Sequence, residues 1–389
     1  MADLTTAADV LKNDFIGPIR SNLNNKTILM NKVRKTSEEV SGDYVKIPLQ
    51  SGRNSGVGAR AYNGTLPTAG SQQYKYAQFQ TKTIYGRGKI YGKLIRATRN
   101  DKGSFLRAVS AEMKGLSNDL TDDVNRQLFT GSTGVIATVA AGGAASATQT
   151  VDSTQYLFPG MVVTVDGIGD RTVSSITSET VVVFTATITT SGAEVIRRQG
   201  VATAQELQGL GDIVKNSGTI QNIDPTTSAG SFFKANLIGT AGTPAPLDEM
   251  DMEQAIDAAE EKGGEVDYII TSYAGRREYY KLLQGQKRFT DTVNLKGGFS
   301  AVMVNDIALV VDKHCPRSSS ETRMYFLSSK NLAHYRMCDV EWMDQDGAIL
   351  ARIVGSGGEE AYECTLVYDA EFATDFRAAH SALVGIAVT

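Results

Sequence analysis

Cysteine is scarce in this 389-residue chain, which holds only Cys315, Cys338 and Cys364. Three is an odd number, and the spacing is not that of a metal site. Reduced thiols in a cytoplasmic protein are the simplest account, rather than a disulfide framework. Long apolar runs are missing as well. Ile307 to Val311 is among the longest, well short of the roughly 20 residues of a membrane helix. Met1-Ala2-Asp3-Leu4 shows no basic head before an apolar segment, so no signal peptide is expected.

Catalytic patterns are also lacking. Of the three histidines, His314 is followed directly by Cys315. In an extended segment such neighbours point to opposite faces, which argues against a nucleophile–base pair between them. His334 and His380 stand alone and read as packed or surface histidines. Asp344-Gln345-Asp346-Gly347 opens like a calcium loop but lacks the later ligands, so it reads as a turn. Gly86-Arg87-Gly88 lacks the spacing of a dinucleotide site, and there is no phosphate-binding loop. Gly131-Ser132-Thr133-Gly134 is not a nucleophile elbow. No catalytic residue, cofactor or metal is expected.

What the chain does have is globular content, 41% hydrophobic and 21% charged, with length enough for two or three domains. Its net charge of −4 hides an asymmetry: residues 1–107 carry 18 Lys and Arg against 7 Asp and Glu. The remainder is strongly acidic. A split of this kind serves nucleic-acid contact, or a basic segment of one subunit lying on an acidic neighbour.

The most regular stretch runs from Ser104 to Thr130. Phe105, Val109, Met113, Leu116, Leu120, Val124 and Leu128 recur every three or four residues and mark one face of a helix ~40 Å long. Ser104 is the expected N-cap and Gly131 the left-handed residue that closes it. One narrow apolar face on so long a helix fits a sheet or a neighbouring subunit, although a long surface helix of an ordinary enzyme shares the pattern. Val109, Met113, Leu116 and Leu120 are the expected packing residues.

Residues 1–40 read as an arm with a short helix over Ala7–Phe15. Residues 41–98 read as one very long hairpin whose return strand runs from about Tyr74 to Ile95. Its middle, from Ser51 to Gly70, is too poor in apolar residues to form a core. Alternation puts Tyr85, Arg87, Lys89, Tyr91 and Lys93 on one face and Ile84, Gly86, Gly88, Ile90, Gly92 and Leu94 on the other. Glycines on one face admit a close neighbour, expected to be the long helix. Residues 133–203, rich in Ala, Val, Thr, Ser and Gly, read as a small inserted β module with a loose loop around Gly142-Gly143. Beyond it, Asp248 and Ser272 are expected to cap two helices that alternate with strands near 268–270, 301–312 and 324–327. The end returns to strands joined by Gly355-Ser356-Gly357-Gly358.

This order of segments resembles the major capsid proteins of tailed bacteriophages. Val310-Val311-Asp312-Lys313-His314-Cys315-Pro316, Thr322-Arg323-Met324-Tyr325-Phe326-Leu327, Glu341-Trp342-Met343-Asp344-Gln345-Asp346-Gly347 and Glu360-Ala361-Tyr362-Glu363-Cys364-Thr365-Leu366 are similar to stretches common in that family. The resemblance covers nearly the whole chain except the insertion. It implies an α+β fold in seven parts: an N-terminal arm (1–40), an extended loop (41–98), the spine helix (99–132) and an inserted β domain (133–203). The continued peripheral domain (204–247), an axial domain (248–334) and C-terminal strands (335–389) follow.

The resemblance also implies a non-enzymatic subunit that self-assembles into hexamers and pentamers of an icosahedral shell. That shell would enclose double-stranded DNA without sequence-specific binding and form in the host bacterial cytoplasm. No long helical scaffold segment is legible, which implies a separate scaffolding protein, alongside a portal and a decoration protein. Arg53, Arg60, Lys75 and Lys82 are expected to reach a neighbouring subunit. The Lys–Asn–Glu set that cross-links some members is not identifiable. The rival readings are an encapsulin-like nanocompartment shell and a single-stranded nucleic-acid binder using the Tyr85–Lys93 face.

Overall fold

The computed structural model describes residues 27–37, 40–42, 44–93, 102–285, 292–295, 299–343, 351–352 and 360–388. The expected Ala7–Phe15 helix, the Asp344–Gly347 turn and the Gly355–Gly358 connection lie outside them. The chain begins with α1 (Ile28–Lys32), β1 (Arg34–Thr36), β2 (Val40–Ser41), β3 (Tyr44–Gly52), β4 (Gln73–Gln80) and β5 (Lys82–Tyr91). Helix α2 (Lys102–Gln127) follows. Six strands come next: β6 (Val135–Thr138), β7 (Gly143–Thr150), β8 (Val162–Val165), β9 (Gly169–Ser178), β10 (Val181–Thr190) and β11 (Val195–Arg198). Then come α3 (Leu210–Ile213), β12 (Asn236–Ile238), α4 (Glu249–Glu260), β13 (Tyr268–Thr271), α5 (Tyr273–Gly285), β14 (Thr292–Leu295), β15 (Phe299–Val304), β16 (Ile307–Val311) and β17 (Glu321–Leu327). The chain closes with β18 (Leu332–Arg336), β19 (Glu341–Trp342), β20 (Ala351–Arg352), β21 (Ala361–Thr374) and β22 (Ser381–Ala387). Helices and sheets together make an α+β fold.

The expected single hairpin is two structures. Strands β3 and β4 pair in antiparallel register from Tyr44↔Gln80 to Gly52↔Gln73, with Val45, Ile47, Leu49, Ala77 and Phe79 turned into the main core. After Thr81 the chain leaves this sheet. Strand β5 pairs instead with β21, from Lys82↔Ala370 to Tyr91↔Ala361. The return strand reads as continuous in sequence because its alternation is unbroken, but alternation does not name a partner. Strand β21 then serves as the axis of a six-stranded sheet, with β5 along one side and β20, β19 and β18 along the other.

Strands β6–β11 form their own sheet in the order β6-β11-β8-β9-β10-β7. The Val139↔Val151 bridge joins its two ends, and Ala140 N donates to Thr150 O at 2.9 Å. The sheet therefore closes as a barrel, which removes most of its free edges. Val163, Val165, Val182, Phe184 and Ile196 fill its interior. The loose loop expected around Gly142-Gly143 is instead the entry to strand β7, held in register by β10. The chain enters and leaves the barrel at one place: Ala204 N donates to Ser132 O at 3.0 Å.

The third sheet has seven strands, β12-β22-β17-β13-β16-β15-β14. Helices α4 and α5 bury Met252, Ala255, Ile256, Ala259, Tyr279 and Leu283 against one of its faces. Asp248 accepts from Met250 N at 3.3 Å and Ser272 accepts from Gly275 N at 3.2 Å, so both expected caps are in place. The other face, with Tyr268, Ile270, Val310, Tyr325 and Leu327, joins the main core under the end of α2.

Helix α2 departs from expectation at its ends. It starts at Lys102, which puts Ser104 inside its first turn. Gly131 is not left-handed; Gly134, at φ 70°, is. Gly131 is required for space, since a Cβ there would lie 2.8 Å from Asp212 Oδ1, whose partner oxygen accepts from Ser132 N at 2.6 Å. Among the described residues no helix is long and apolar enough to cross a membrane.

Candidate assembly surfaces

Helix α2 lies over β5. A Cβ at Gly86 would be 3.1 Å from Leu120 Cδ1, and one at Gly88 would be 3.3 Å from Leu116 Cδ2 and 3.0 Å from Cys364 Sγ. The bare backbone at these two positions is what lets the helix side chains settle onto the strand. Val109 and Leu120 are buried, while Met113 and Leu116 are half-buried.

The segment between β3 and β4 is the most exposed part of the described chain. Val57 is 85% exposed, Leu66 82%, and Tyr62 fully. Arg53, Arg60 and Lys75 are exposed on or beside it, and Arg60 Nη1 donates to the adjacent Ala59 carbonyl at 2.9 Å. The turn is ordered by its own polar contacts: Asn54 accepts from Gly56 N at 2.7 Å and donates to Gly70 O at 3.0 Å.

Lys82 is placed differently from the other three. It is the first residue of β5, its ammonium is 3.4 Å from Glu371 Oε2, and it donates to the Glu206 carbonyl. Lys82 is thus engaged within its own chain at the root of the loop, unlike the exposed Arg53, Arg60 and Lys75. Glu371 also accepts from Gln208 N at 2.7 Å and Phe372 N at 3.0 Å. Burial pushes its carboxyl up to about 7, against the opposing pull of Lys82 and the two amides. Beside it, Arg126 bonds Asp123 at 2.8 Å and Glu206 at 2.5 Å, and Arg198 reaches Asp123 at 2.9 Å. Burial alone would raise Asp123, but Arg126 and Arg198 hold it at about 2. This charge network ties the root of the loop, the end of α2, the barrel exit and β21 together. The sequence shows only scattered charges at these positions, with no spacing to group them.

Two further joints follow. Asp312 is buried and its carboxylate accepts from Ile28 N at 3.2 Å, Leu29 N at 3.3 Å and Asn125 Nδ2 at 3.1 Å. It therefore fixes α1 against the spine helix. The barrel is seated through Gln155, which donates to Lys313 O at 2.8 Å and Cys315 O at 2.9 Å, and through Tyr156, which donates to His314 O at 2.7 Å.

The three histidines and Cys315 all have partners within the fold. His314 Nε2 is 3.1 Å from Asp122 Oδ1, whereas Cys315 Sγ turns to the Arg323 carbonyl at 3.6 Å, and burial pushes that thiol up. His334 meets Tyr368 OH at 3.3 Å, and His380 bridges Ser328 N and Thr374 Oγ1. Burial lowers both histidines to about 3, so they are neutral and structural. On the Tyr85–Lys93 face Tyr85 is exposed, Arg87 pairs with Glu363, and Lys89 lies 5.1 Å from the Tyr91 ring centroid. Among the described residues no group of three or more His, Cys, Asp or Glu is placed to hold a metal.

Comparison with known proteins by sequence finds no matching family model and no matching curated protein. Comparison of structures finds similar chains of full length. The capsid chain of cyanophage A-1(L) is 14% identical over 97% of this chain and 98% of its own, at a TM-score of 0.63. A chain of the holo-SrpI encapsulin complex from Synechococcus elongatus is 10% identical over 100% and 97%, at 0.54. The capsid chain of Myoviridae phage XM1 is 9% identical over 95% and 100%, at 0.50. The fold of this chain is that of tailed-phage major capsid proteins.

Proposed function

We propose that this chain, carrying that fold, is the major capsid protein of a tailed bacteriophage. Its copies assemble into hexamers and pentamers of an icosahedral head around double-stranded DNA. The observation that carries this reading is the loop between β3 and β4. A segment that leaves Val57, Tyr62 and Leu66 in water gains by burying them on another molecule. The full-length likeness to capsid chains supports another copy as that molecule. Arg53, Arg60 and Lys75 then face the acidic remainder of a neighbour, and the Val109–Leu120 side of α2 holds the loop's root rigid. The subunit is structural and catalyses nothing. Assembly takes place in the host bacterial cytoplasm with a separate scaffolding protein and a portal, and a decoration protein binds the finished shell.

The encapsulin-like chain supports a second reading, in which the same shell encloses protein cargo. Negative-stain microscopy of the purified chain, followed by nuclease treatment, tests both. Closed shells or capsomers are expected, with nuclease-resistant DNA in particles from infected cells. Shells holding protein and no DNA favour the second reading. A small monomer at every concentration overturns both.

A further inference from the structure

We propose that two copies of this chain pair face to face about a two-fold axis at helix α4, the acidic first turn of each helix entering a cationic cleft beside the C-terminal end of the other. The proposal rests on the shell reading above and names one acidic surface that Arg53 meets on a neighbour.

Helix α4 packs its buried residues over β12 and β22, so its opposite stripe faces away from the sheet. From Asp248 to Glu261 there are seven acidic residues and no basic one. The outer stripe is Met250, Gln254, Asp257 and Glu261, all exposed. Met250 is 71% exposed and is flanked in the first turn by Glu249 and Asp251. An apolar knob between two carboxylates suits a pocket with aromatic walls and a positive rim.

Such a pocket lies at the other end of the same helix. A cleft of about 510 Å³ is lined by the half-buried Phe232 and Phe376, and by Arg53, Lys234, Lys262 and Glu261. Thioethers pack well against aromatic rings. Lys262 donates to Asn236, whereas Arg53 and Lys234 make no hydrogen bond or ion pair among the described residues. Three cations against the single carboxylate of Glu261 leave the cleft positive, the complement of the acidic turn.

Glu261 belongs both to the outer stripe and to the lining of the cleft, so knob and cleft open on one side of the molecule. They lie ~17 Å apart along the helix, at about 1.5 Å per residue. Two matching sites on one side bring copies together face to face. The stripe's spacing of four, three and four residues reads the same in both directions. In an antiparallel pair Met250 therefore reaches the cleft of the other copy, and Gln254 meets Asp257, an amide against a carboxylate. Each contact occurs twice, as in an isologous interface. Glu261 alone opposes the pairing, because it places a carboxylate where the acidic turn arrives.

The test uses the full chain, with sedimentation reading the dimer and microscopy the yield of shells. Asp251→Lys and, separately, Lys234→Glu are each expected to lower dimer association at least tenfold and to lower the shell yield with it. Mixing the two variants restores pairing, since each supplies the charge the other lacks, and this recovery also shows that both are folded. Glu261→Gln is expected to pair more tightly than the parent. The contact is overturned by single variants that pair like the parent, by a mixture that stays apart, by weaker pairing in Glu261→Gln, or by a parent that grows into longer chains instead of stopping at two. A parent with no dimer, and full shell yield in both single variants, also overturns it and leaves the shell reading standing. A parent that forms neither dimers nor shells overturns both.

Discussion

Lys82 and Glu371 lie 3.4 Å apart at the point where the chain leaves the loop hairpin and joins the long sheet. Glu371 is buried and Lys82 half-buried, and the carboxyl is pushed up to about 7 from an ordinary 4.5. Such a group stabilises the fold fully below its unfolded pKa. That contribution is lost as pH rises through the folded value. The isolated subunit is therefore expected to lose of order 1–3 kcal/mol between about pH 5 and pH 8 from this residue. Glu371→Gln should flatten that slope, which thermal unfolding at the two pH values measures. Lys82→Met, which leaves the carboxylate buried beside no cation, should cost roughly 3–5 kcal/mol at pH 8 and less at pH 5. An unchanged slope in Glu371→Gln assigns the pH dependence elsewhere.

The contact of α2 with β5 depends on the absence of side chains at two positions. Gly88→Val places new atoms against Cys364 Sγ and Leu116 Cδ2 and should cost about 1–3 kcal/mol. Leu116→Asp puts a charge into the same half-buried contact, at a cost of about 1–3 kcal/mol or more. Lys114→Asp, on the exposed side, should stay within about 0.5 kcal/mol. Urea unfolding ranks the three, and equal effects from Leu116→Asp and Lys114→Asp would show that the packing face is misplaced.

Removal of the barrel should leave the rest folded. Its entry and exit are one hydrogen bond apart at Ser132 and Ala204, and its core is separate. Replacing residues 133–203 by a short Gly/Ser linker loses the Gln155 and Tyr156 anchors and the Arg198–Asp123 pair. The midpoint is expected to fall by several degrees, about 1–2 kcal/mol, with the helix signal retained. Collapse of the helix signal would mean that the barrel is part of the host core.

The loop carries both charge and apolar surface toward its neighbour. Arg53→Glu with Arg60→Glu should block capsomer formation in the absence of DNA, and added salt should weaken parental assembly as it screens rim contacts beyond about 10 Å at 0.1 M. Tyr62→Ser with Leu66→Ser should block assembly with little salt dependence. Light scattering on purified protein reads both. Normal assembly with loss of DNA packaging in the arginine variant would move these charges from the neighbour to the nucleic acid.

Features that repeat along the backbone are legible in the residue order. The stripe from Val109 to Leu128 marks the spine helix, the alternation from Ile84 to Ile90 gives the two faces of β5, and the apolar poverty of Ser51–Gly70 marks a loop with no core. Each is local, because a helix or strand repeats its environment every few residues. Tertiary structure alone decided which of these segments met. Arg87 and Glu363 are 276 positions apart, and nothing in the run from Tyr74 to Ile95 signals that Thr81 ends one sheet and begins another. Lys82 reads like Lys75 in sequence, but β21 brings Glu371 to it and leaves it half-buried. Gly131 reads as a helix stop, and only Asp212, folded back from beyond the barrel, shows that the space is what matters. Side-chain periodicity is set by backbone geometry, whereas partners are set by which distant surfaces bury each other, and one chain's pattern does not contain that choice.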